Sequence, residues 1–218
     1  MSRLALLFDL DGTLLDSIGL LLDCMDYTFA ERSRRPTRAQ WTAGIGTPLR
    51  TQLAEWCDNP GEVDALVERY RAHQDIHLEG LTSLYPGVTE TLQWIRREGH
   101  ATAVVTSKGR GMTDRSLRHV GLQDAFDTIV TYEETTRHKP MPDPVLLALD
   151  RVAVEPRRAI FVGDSPHDML SGQAAGVSTA AALWGPFTRD ELAIANPTWF
   201  LTRMGELPGI VTGFDRAG

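Results

Sequence analysis

Short, continuous apolar runs alternate with helical patterns along this 218-residue chain, and this alternation most restricts its fold. The runs cover residues 4–8, 101–105, 128–130, 159–162, 178–182 and, more weakly, 199–201. Apolar runs of this length are typical of strands that are buried on both faces. Strands that alternate with helices predict an α/β fold, a doubly wound parallel sheet with helices on both faces.

Helices are predicted between these runs at residues 88–97, 111–119, 145–152 and 167–175. Two of them have clear start signals. Asp143 is predicted to be the N-cap of the third helix, with Pro144 as its first helical residue. Ser165, with Asp168 three residues later, has the spacing of a capping box.

Residues 17–82 break this rhythm, because they contain no convincing strand. Apolar residues such as Leu21, Met25 and Phe29 repeat there at helical spacing. We predict about four helices inserted after the first strand. This pattern divides the chain into a core, residues 1–16 and 83–218, and an inserted α-helical domain, residues 17–82, that would cap it.

The chain is acidic, with 29 Asp and Glu against 22 Lys and Arg and a net charge of −7. A protein that binds nucleic acid usually carries a basic surplus, so we expect no nucleic-acid partner. No apolar run is long enough for a membrane span or a signal peptide, and two distant cysteines predict reduced thiols. We therefore expect a cytoplasmic protein without a membrane partner, either a monomer or a homodimer.

Polar residues follow three predicted strands, at the sheet edge where ligands bind in α/β folds. The first strand is followed by Asp9-Leu10-Asp11-Gly12-Thr13, the second by Thr106-Ser107-Lys108 and the fourth by Gly163-Asp164-Ser165-Pro166-His167-Asp168. Lys139 lies in the loop before the helix that leads into this fourth strand. Lys108 and Lys139 are the two lysines of the sequence, so both fall in loops of the same edge.

Four carboxylates in one crevice would raise one another's pKa values unless a cation lay among them. They belong to Asp9, Asp11, Asp164 and Asp168. A few carboxylates without His or Cys suit Mg²⁺, which also takes a phosphate oxygen. An aspartate beside Mg²⁺ and a lysine could attack a phosphoryl group and form an aspartyl-phosphate. Singly, each residue also fits a turn or a helix cap, and only their joint placement favours a catalytic site.

Four segments of the chain resemble the motifs of phosphatases in the haloacid dehalogenase superfamily, in its phosphoglycolate phosphatase-like branch. They read FDLDGTLLDS at 8–17, VVTSKG at 104–109, KPMPDP at 139–144 and VGDSPHDM at 162–169. The resemblance covers essentially the whole chain, and the first motif is highly specific. It implies a Rossmann-like core with a helical cap inserted between the first two motifs.

The resemblance also implies roles for individual residues. Asp9 would be the nucleophile and Asp11 the general acid and base, while Thr106 would bind the phosphoryl group and Lys139 would orient and neutralise it. Asp9, Asp164 and the backbone carbonyl of Asp11 would hold Mg²⁺, with Asp168 supporting the metal through water or an outer contact. Ser107 stands where many relatives carry Asn. Further predicted substrate-binding residues are Gly12, Thr13, Gly46, Arg50, Ser107 and Lys108.

The break at residues 44–50 resembles the substrate-specificity loop of capped members of this superfamily. Gly44 and Gly46 allow a close backbone approach, and Thr47 and Pro48 are predicted to begin a helix. Arg50 could bind a second anionic group of the substrate. The alternative is a plain helix–helix turn with a solvated arginine.

These features predict a Mg²⁺-dependent phosphomonoesterase that acts on a small phosphorylated metabolite. An inorganic pyrophosphatase or a sugar phosphomutase of the same superfamily is the alternative, although a mutase would use extra cap residues near the first motif. Asp11 argues against a dehalogenase, which lacks the second acid. The Asp-x-Asp spacing and the long insertion argue against a signalling receiver domain.

Overall fold

The computed structural model describes residues 3–217, and a six-stranded parallel sheet forms the centre of this part. The strands are β1 (Ala5–Phe8), β2 (Leu15–Asp16), β3 (Ser83–Leu84), β4 (Ala101–Val105), β5 (Thr128–Val130), β6 (Ala159–Gly163), β7 (Ser178–Ala182) and β8 (Trp199–Leu201). The large sheet has the order β5-β4-β1-β6-β7-β8, and β2 pairs with β3 in a separate ribbon. Met1, Ser2 and Gly218, which the predicted core includes, lie outside the described residues.

Helices connect the strands and cover the sheet. They are α1 (Ile18–Thr28), α2 (Arg38–Ala43), α3 (Leu49–Ala54), α4 (Val63–His77), α5 (Val88–Arg97), α6 (Arg110–His119), α7 (Asp143–Val152), α8 (Pro166–Ala174), α9 (Arg189–Ala193) and α10 (Leu207–Ala217). Short 3₁₀ turns lie at Pro60–Glu62, Tyr132–Glu134, Pro156–Arg158 and Met204–Glu206.

Strand β1 lies at the middle of the sheet and is buried on both faces. Its alternate side chains divide between two apolar clusters. Leu6 and Phe8 join the cluster of α5 and α10, whereas Ala5 and Leu7 join that of α7. Helices therefore cover both faces, and the predicted doubly wound parallel sheet is confirmed.

Residues 17–82 form helices α1–α4, as their apolar spacing predicted; we call this segment the helical insertion. It packs around an apolar cluster of its own, which includes Phe29, Trp41, Leu53 and Tyr70. Where the chain leaves the sheet and returns to it, β2 and β3 pair antiparallel. Leu15 faces Leu84 and Asp16 faces Ser83. These two-residue strands were not predicted.

One helix start differs from its prediction. Asp143 is not the N-cap but the first residue of α7, because the backbone is already helical at Pro142, the residue before it. Asp143 accepts a hydrogen bond from Arg137 Nε at 2.9 Å. The capping box of Ser165 and Asp168 at the start of α8 is confirmed.

Two further features bear on the chemistry and setting of the chain. Cys24 and Cys57 are free thiols, the first buried and the second half-buried. Among the helices of residues 3–217, none has the length and apolar content that a membrane crossing requires.

Candidate active site

The carboxyl ends of β1, β4 and β6 meet because the three strands are neighbours in register. Phe8 lies beside Val104 on one side and Val162 on the other. The residues that follow, among them Asp9, Thr106 and Asp164, therefore project from one edge of the sheet. The amide of Asp9 donates to the carbonyl of Val162 at 2.9 Å, which extends the β1–β6 pairing into the loop.

Three buried carboxylates come together at this edge. One oxygen each of Asp9, Asp164 and Asp168 lies within 4.8 Å of the other two. Asp168 is held at the start of α8, where its Oδ2 accepts hydrogen bonds from the amide of Ser165 at 3.1 Å and from its hydroxyl at 2.6 Å. The capping box that starts α8 thus also orients an acidic group of the cluster.

Lys139 supplies the positive charge of this cluster. Its Nζ donates to Oδ1 of Asp168 at 2.7 Å, to Oδ1 of Asp9 at 2.8 Å and to the carbonyl of Val105 at 3.2 Å. Burial works to lower the pKa of Lys139, but the two carboxylates outweigh it and hold that pKa above its usual range. The amine therefore stays protonated between the two acids.

The single positive charge of Lys139 does not balance the negative charge of the three buried acids. Burial raises the pKa of Asp9 to about 7 despite the attraction of Lys139. Burial also raises the pKa of Asp164 well above its usual range, and the charge of Asp9 adds to that effect. Three carboxylates around one ammonium leave an excess of negative charge, which a cation would relieve.

Asp164 has one carboxylate oxygen available to bind such a cation. Its Oδ1 accepts a hydrogen bond from Thr13 Oγ1 at 2.5 Å. Its Oδ2 is buried and, within the described part of the chain, has no hydrogen-bond partner. Gly12 lies against this carboxylate with a φ of +85°, and a Cβ there would overlap Oδ2. These hard oxygen donors, without sulfur or imidazole, fit Mg²⁺.

The side chain of Asp11 is not part of the cluster formed by the three acids. Its Oδ1 accepts hydrogen bonds from Lys108 Nζ and from Ser17 Oγ, both at 2.6 Å. Ser17 is buried and Lys108 nearly so. The carboxylate of Asp11 is therefore fixed on the wall of the adjoining cavity.

A cavity of about 340 Å³ lies between this edge of the sheet and the helical insertion. Its core side includes Asp9, Asp11, Thr106, Ser107, Lys108 and Gly109, and its insertion side includes Trp41, Gly46, Arg50, Gln52, Tyr70, Arg71 and Gln74. This volume suits a small molecule.

The loop around Gly46 joins the helical insertion to the core. Ser107 Oγ donates to the carbonyl of Gly46 at 2.6 Å, so this serine side chain binds the insertion. Gly46 has a φ of +99°, and a Cβ there would lie 2.7 Å from Ser165 Oγ. The helix predicted to begin at Thr47 and Pro48 begins at Leu49 instead, because Pro48 keeps an extended backbone as its N-cap.

The predicted site residues thus fall into three groups. Asp9, Asp164, Asp168 and Lys139 form the buried cluster. Asp11, Gly46, Arg50, Thr106, Ser107 and Lys108 line the cavity. Gly12 and Thr13 contact Asp164. The guanidinium of Arg50 pairs with Asp64 of α4 and is about half exposed.

The sequence analysis does not predict two residues of the site, Ser17 and Arg71. Ser17 is the last residue of the first motif, so the sequence did carry a signal for it. Arg71 of α4 lines the cavity, but it carries no local pattern that would have predicted this.

Comparisons with known proteins agree with this geometry. Residues 6–182 match the family model described as haloacid dehalogenase-like hydrolase. The chain is 33% identical over 207 residues to pyrophosphatase PpaX of Bacillus velezensis, covering 93% of this chain and 94% of that protein. It is 32% identical over 207 residues to pyrophosphatase PpaX of Anoxybacillus flavithermus, covering 94% and 95%.

The fold has solved counterparts as well. The structure of a predicted phosphoglycolate phosphatase from Haemophilus somnus superposes with a TM-score of 0.85 at 23% identity, covering 95% of this chain and 97% of that one. The family model spans most of the chain, and the two relatives match it over nearly their full length. The chain therefore belongs to the haloacid dehalogenase-like hydrolase family.

Proposed function

We propose that this protein is a Mg²⁺-dependent phosphatase that hydrolyses a small phosphorylated metabolite through an aspartyl-phosphate at Asp9. The observation that carries this proposal is the position of Asp9. Its carboxylate stands at the end of β1, 2.8 Å from Lys139 Nζ, and lines the cavity. A nucleophile there meets a phosphoryl group beside a buried positive charge.

In the first step an oxygen of Asp9 attacks phosphorus, and the bond from phosphorus to the leaving oxygen breaks. Asp11, on the cavity wall, donates a proton to that leaving oxygen. In the second step Asp11 takes a proton from water as the water oxygen attacks phosphorus. The bond between Asp9 and phosphorus then breaks, releasing phosphate and restoring both carboxyl groups.

Other residues of the chain support these steps. Lys139 neutralises the phosphoryl oxygens, and Asp168 holds its ammonium in position. The hydroxyl oxygen of Thr106 accepts the amide of Lys108 at 3.1 Å, which leaves the hydroxyl proton free for a phosphoryl oxygen. Mg²⁺, held by Asp9, Asp164 and the main-chain carbonyl of Asp11, would supply further positive charge to the phosphoryl group when bound.

Hydrolysis of inorganic pyrophosphate is a second candidate activity. It is favoured by two relatives that are named pyrophosphatase and are 32–33% identical over nearly the whole chain. Pyrophosphate is small enough for the cavity, and its phosphoanhydride would be cleaved by the same two steps.

The test is phosphate release from phosphoglycolate, other small phosphate monoesters and pyrophosphate, with Mg²⁺ and with excess chelator. We expect turnover that stops with the chelator, and the highest kcat/KM among the substrates then separates the two activities. Asp9→Asn keeps the shape of the side chain but removes the nucleophile, so we expect no turnover above background. More than a few per cent residual activity in a pure sample, or full activity in the chelator, would contradict the mechanism.

A further inference from the structure

Three basic side chains line the cavity, and two of them are already paired. Lys108 donates to Asp11 at 2.6 Å, and Arg50 pairs with Asp64. Arg71, on α4 of the helical insertion, lines the same cavity. Among residues 3–217, no hydrogen bond or ion pair involves its guanidinium. Arg71 is thus the cation of this cavity that is left for a ligand.

The position of Arg71 supports such a role. Its Nη2 lies 3.9 Å from the point that a Cβ on Gly109 would occupy. Gly109 follows Thr106 and Ser107 in the loop after β4, which ends beside the buried acids. The guanidinium therefore reaches from the helical insertion to the loop that we propose binds the phosphoryl group.

Within residues 3–217, neither of the nearby acids of the cavity lining, Asp75 and Glu133, forms an ion pair with Arg71. Asp75 pairs with Arg115 at 3.2 Å. Oε2 of Glu133 accepts a hydrogen bond from the amide of Arg110 at 2.9 Å, and its Oε1 lies 2.8 Å from the Cβ point at Gly109. A guanidinium offers a planar fork of donors that matches a carboxylate or a phosphate. Without a protein acid to fill this fork, its chemistry calls for an anionic group on the ligand.

We propose that Arg71 determines substrate specificity by binding a second anionic group, so the substrate is a phosphorylated compound that carries another carboxylate or phosphate. This proposal rests on the proposed function, since the first anion is the phosphoryl group at Asp9. Arg71 does not touch the reacting atoms and acts on substrate binding.

The kinetic test uses two substrates that differ only in the second anion, phosphoglycolate and ethyl phosphate. We expect Arg71→Ala to lower kcat/KM for phosphoglycolate about tenfold or more, mainly through KM, because a hydrogen bond to a charged group is lost. The value for ethyl phosphate should stay within about twofold. Arg71→Lys keeps the charge without the fork and should lie between the two. Arg97→Ala, at an exposed position of α5, is the control with equal charge and should change neither value.

A binding test makes the result independent of turnover. Calorimetry with Mg²⁺ measures the Kd of 3-phosphonopropionate and methylenediphosphonate, which carry a carboxylate or a second phosphonate, and of propylphosphonate, which carries neither. We expect the unmodified protein to prefer at least one of the first two about tenfold, and Arg71→Ala to abolish that preference. Whichever of these two compounds has the lower Kd shows whether the second anionic group is a carboxylate or a phosphate.

The outcomes are distinguishable. Equal affinity of the unmodified protein for all three phosphonates, or a preference that survives Arg71→Ala, overturns the role of Arg71. A preference that depends on Arg71, without phosphate release from any substrate, supports that role and instead rejects the proposed function. Because Arg71 is exposed at the cavity wall, its substitution should leave the melting temperature unchanged, which thermal denaturation checks.

Discussion

The ammonium of Lys139 lies 2.7 Å from Oδ1 of Asp168, and the two side chains are 1% and 0% exposed. The other oxygen of Asp168 accepts both donors of Ser165. Asp168 therefore connects the start of α8 to the amine that faces Asp9, and both of its carboxylate oxygens accept hydrogen bonds from protein groups.

Asp168→Asn tests this connection. The amide oxygen can still accept from Ser165, so α8 should keep its cap, but the charge opposite Lys139 is lost. We expect kcat/KM to fall about 10–100-fold, as is typical when a group that orients site residues is replaced. Unchanged kcat/KM, with the fold checked by circular dichroism, would contradict the positioning role.

Binding of Mg²⁺ should raise the melting temperature, because the cation relieves repulsion among three buried acids. At a concentration 100 times the Kd, a ligand that binds only the folded state adds about 2.7 kcal/mol to the free energy of unfolding. Thermal denaturation with Mg²⁺ and with chelator measures the shift. Asp164→Asn should abolish most of it, and Ca²⁺ should support turnover poorly since it takes more ligands at longer distances. A shift of equal size in Asp164→Asn would place the metal elsewhere.

Gly46→Ala should destabilise the protein by about 1–3 kcal/mol, since an alanine at a φ of +99° is strained. The added Cβ would also press on Ser165 Oγ, which is committed to Asp168. The control is Gly19→Ala in α1, where a Cβ meets no atom of the described chain within 4 Å. That variant should be neutral or stabilise the helix by up to about 1 kcal/mol. Urea denaturation compares the two, and equal effects would contradict the strain at Gly46.

Glu134 should make stability depend on pH in the acidic range. Burial works to raise its pKa, but hydrogen bonds from Thr131 and Arg151, together with the charge of Arg110, outweigh burial and lower the pKa below its usual value. An acid whose pKa is lower in the folded state stabilises that state above the unfolded pKa, about 4.3, and loses this effect as the pH falls.

Glu134→Gln should therefore cost about 1–3 kcal/mol of unfolding free energy at pH 7. The difference from the unmodified protein should shrink as the pH falls below about 4. Urea denaturation at both pH values measures it, with Glu98→Gln, at an exposed position, as the charge-matched control. A difference that is constant with pH would show that the charge of Glu134 plays no part.

The sheet and the meeting of its strand ends were predictable because both follow from local patterns. Each central strand is an unbroken apolar run, and parallel neighbours bring their carboxyl ends to one edge. That reasoning predicts that Asp9, Thr106 and Asp164 follow strands that end at one edge, as they do in the structure. The capping box at Ser165 was equally local, since its two residues lie three positions apart.

Contacts across the cavity could not be predicted in this way. The bond from Ser107 to Gly46 joins residues 61 positions apart, and its existence depends on how the helical insertion docks. The same holds for Arg71, whose helix carries several charged residues around its exposed faces. The pairing of β2 with β3 involves two residues from each strand, and two residues are too few to show an alternating pattern in the sequence.

That short ribbon has a consequence for how such a chain can vary. Asp16 stands directly opposite Ser83, so the 66 residues between them begin and end about as far apart as the ends of a hairpin turn. The two ends of the insertion therefore lie next to each other where they join the core, whatever the length of the segment between them. Residues can be added, removed or exchanged within it without shifting the register of β1 or β4, and new pockets can be built over an unchanged set of acids.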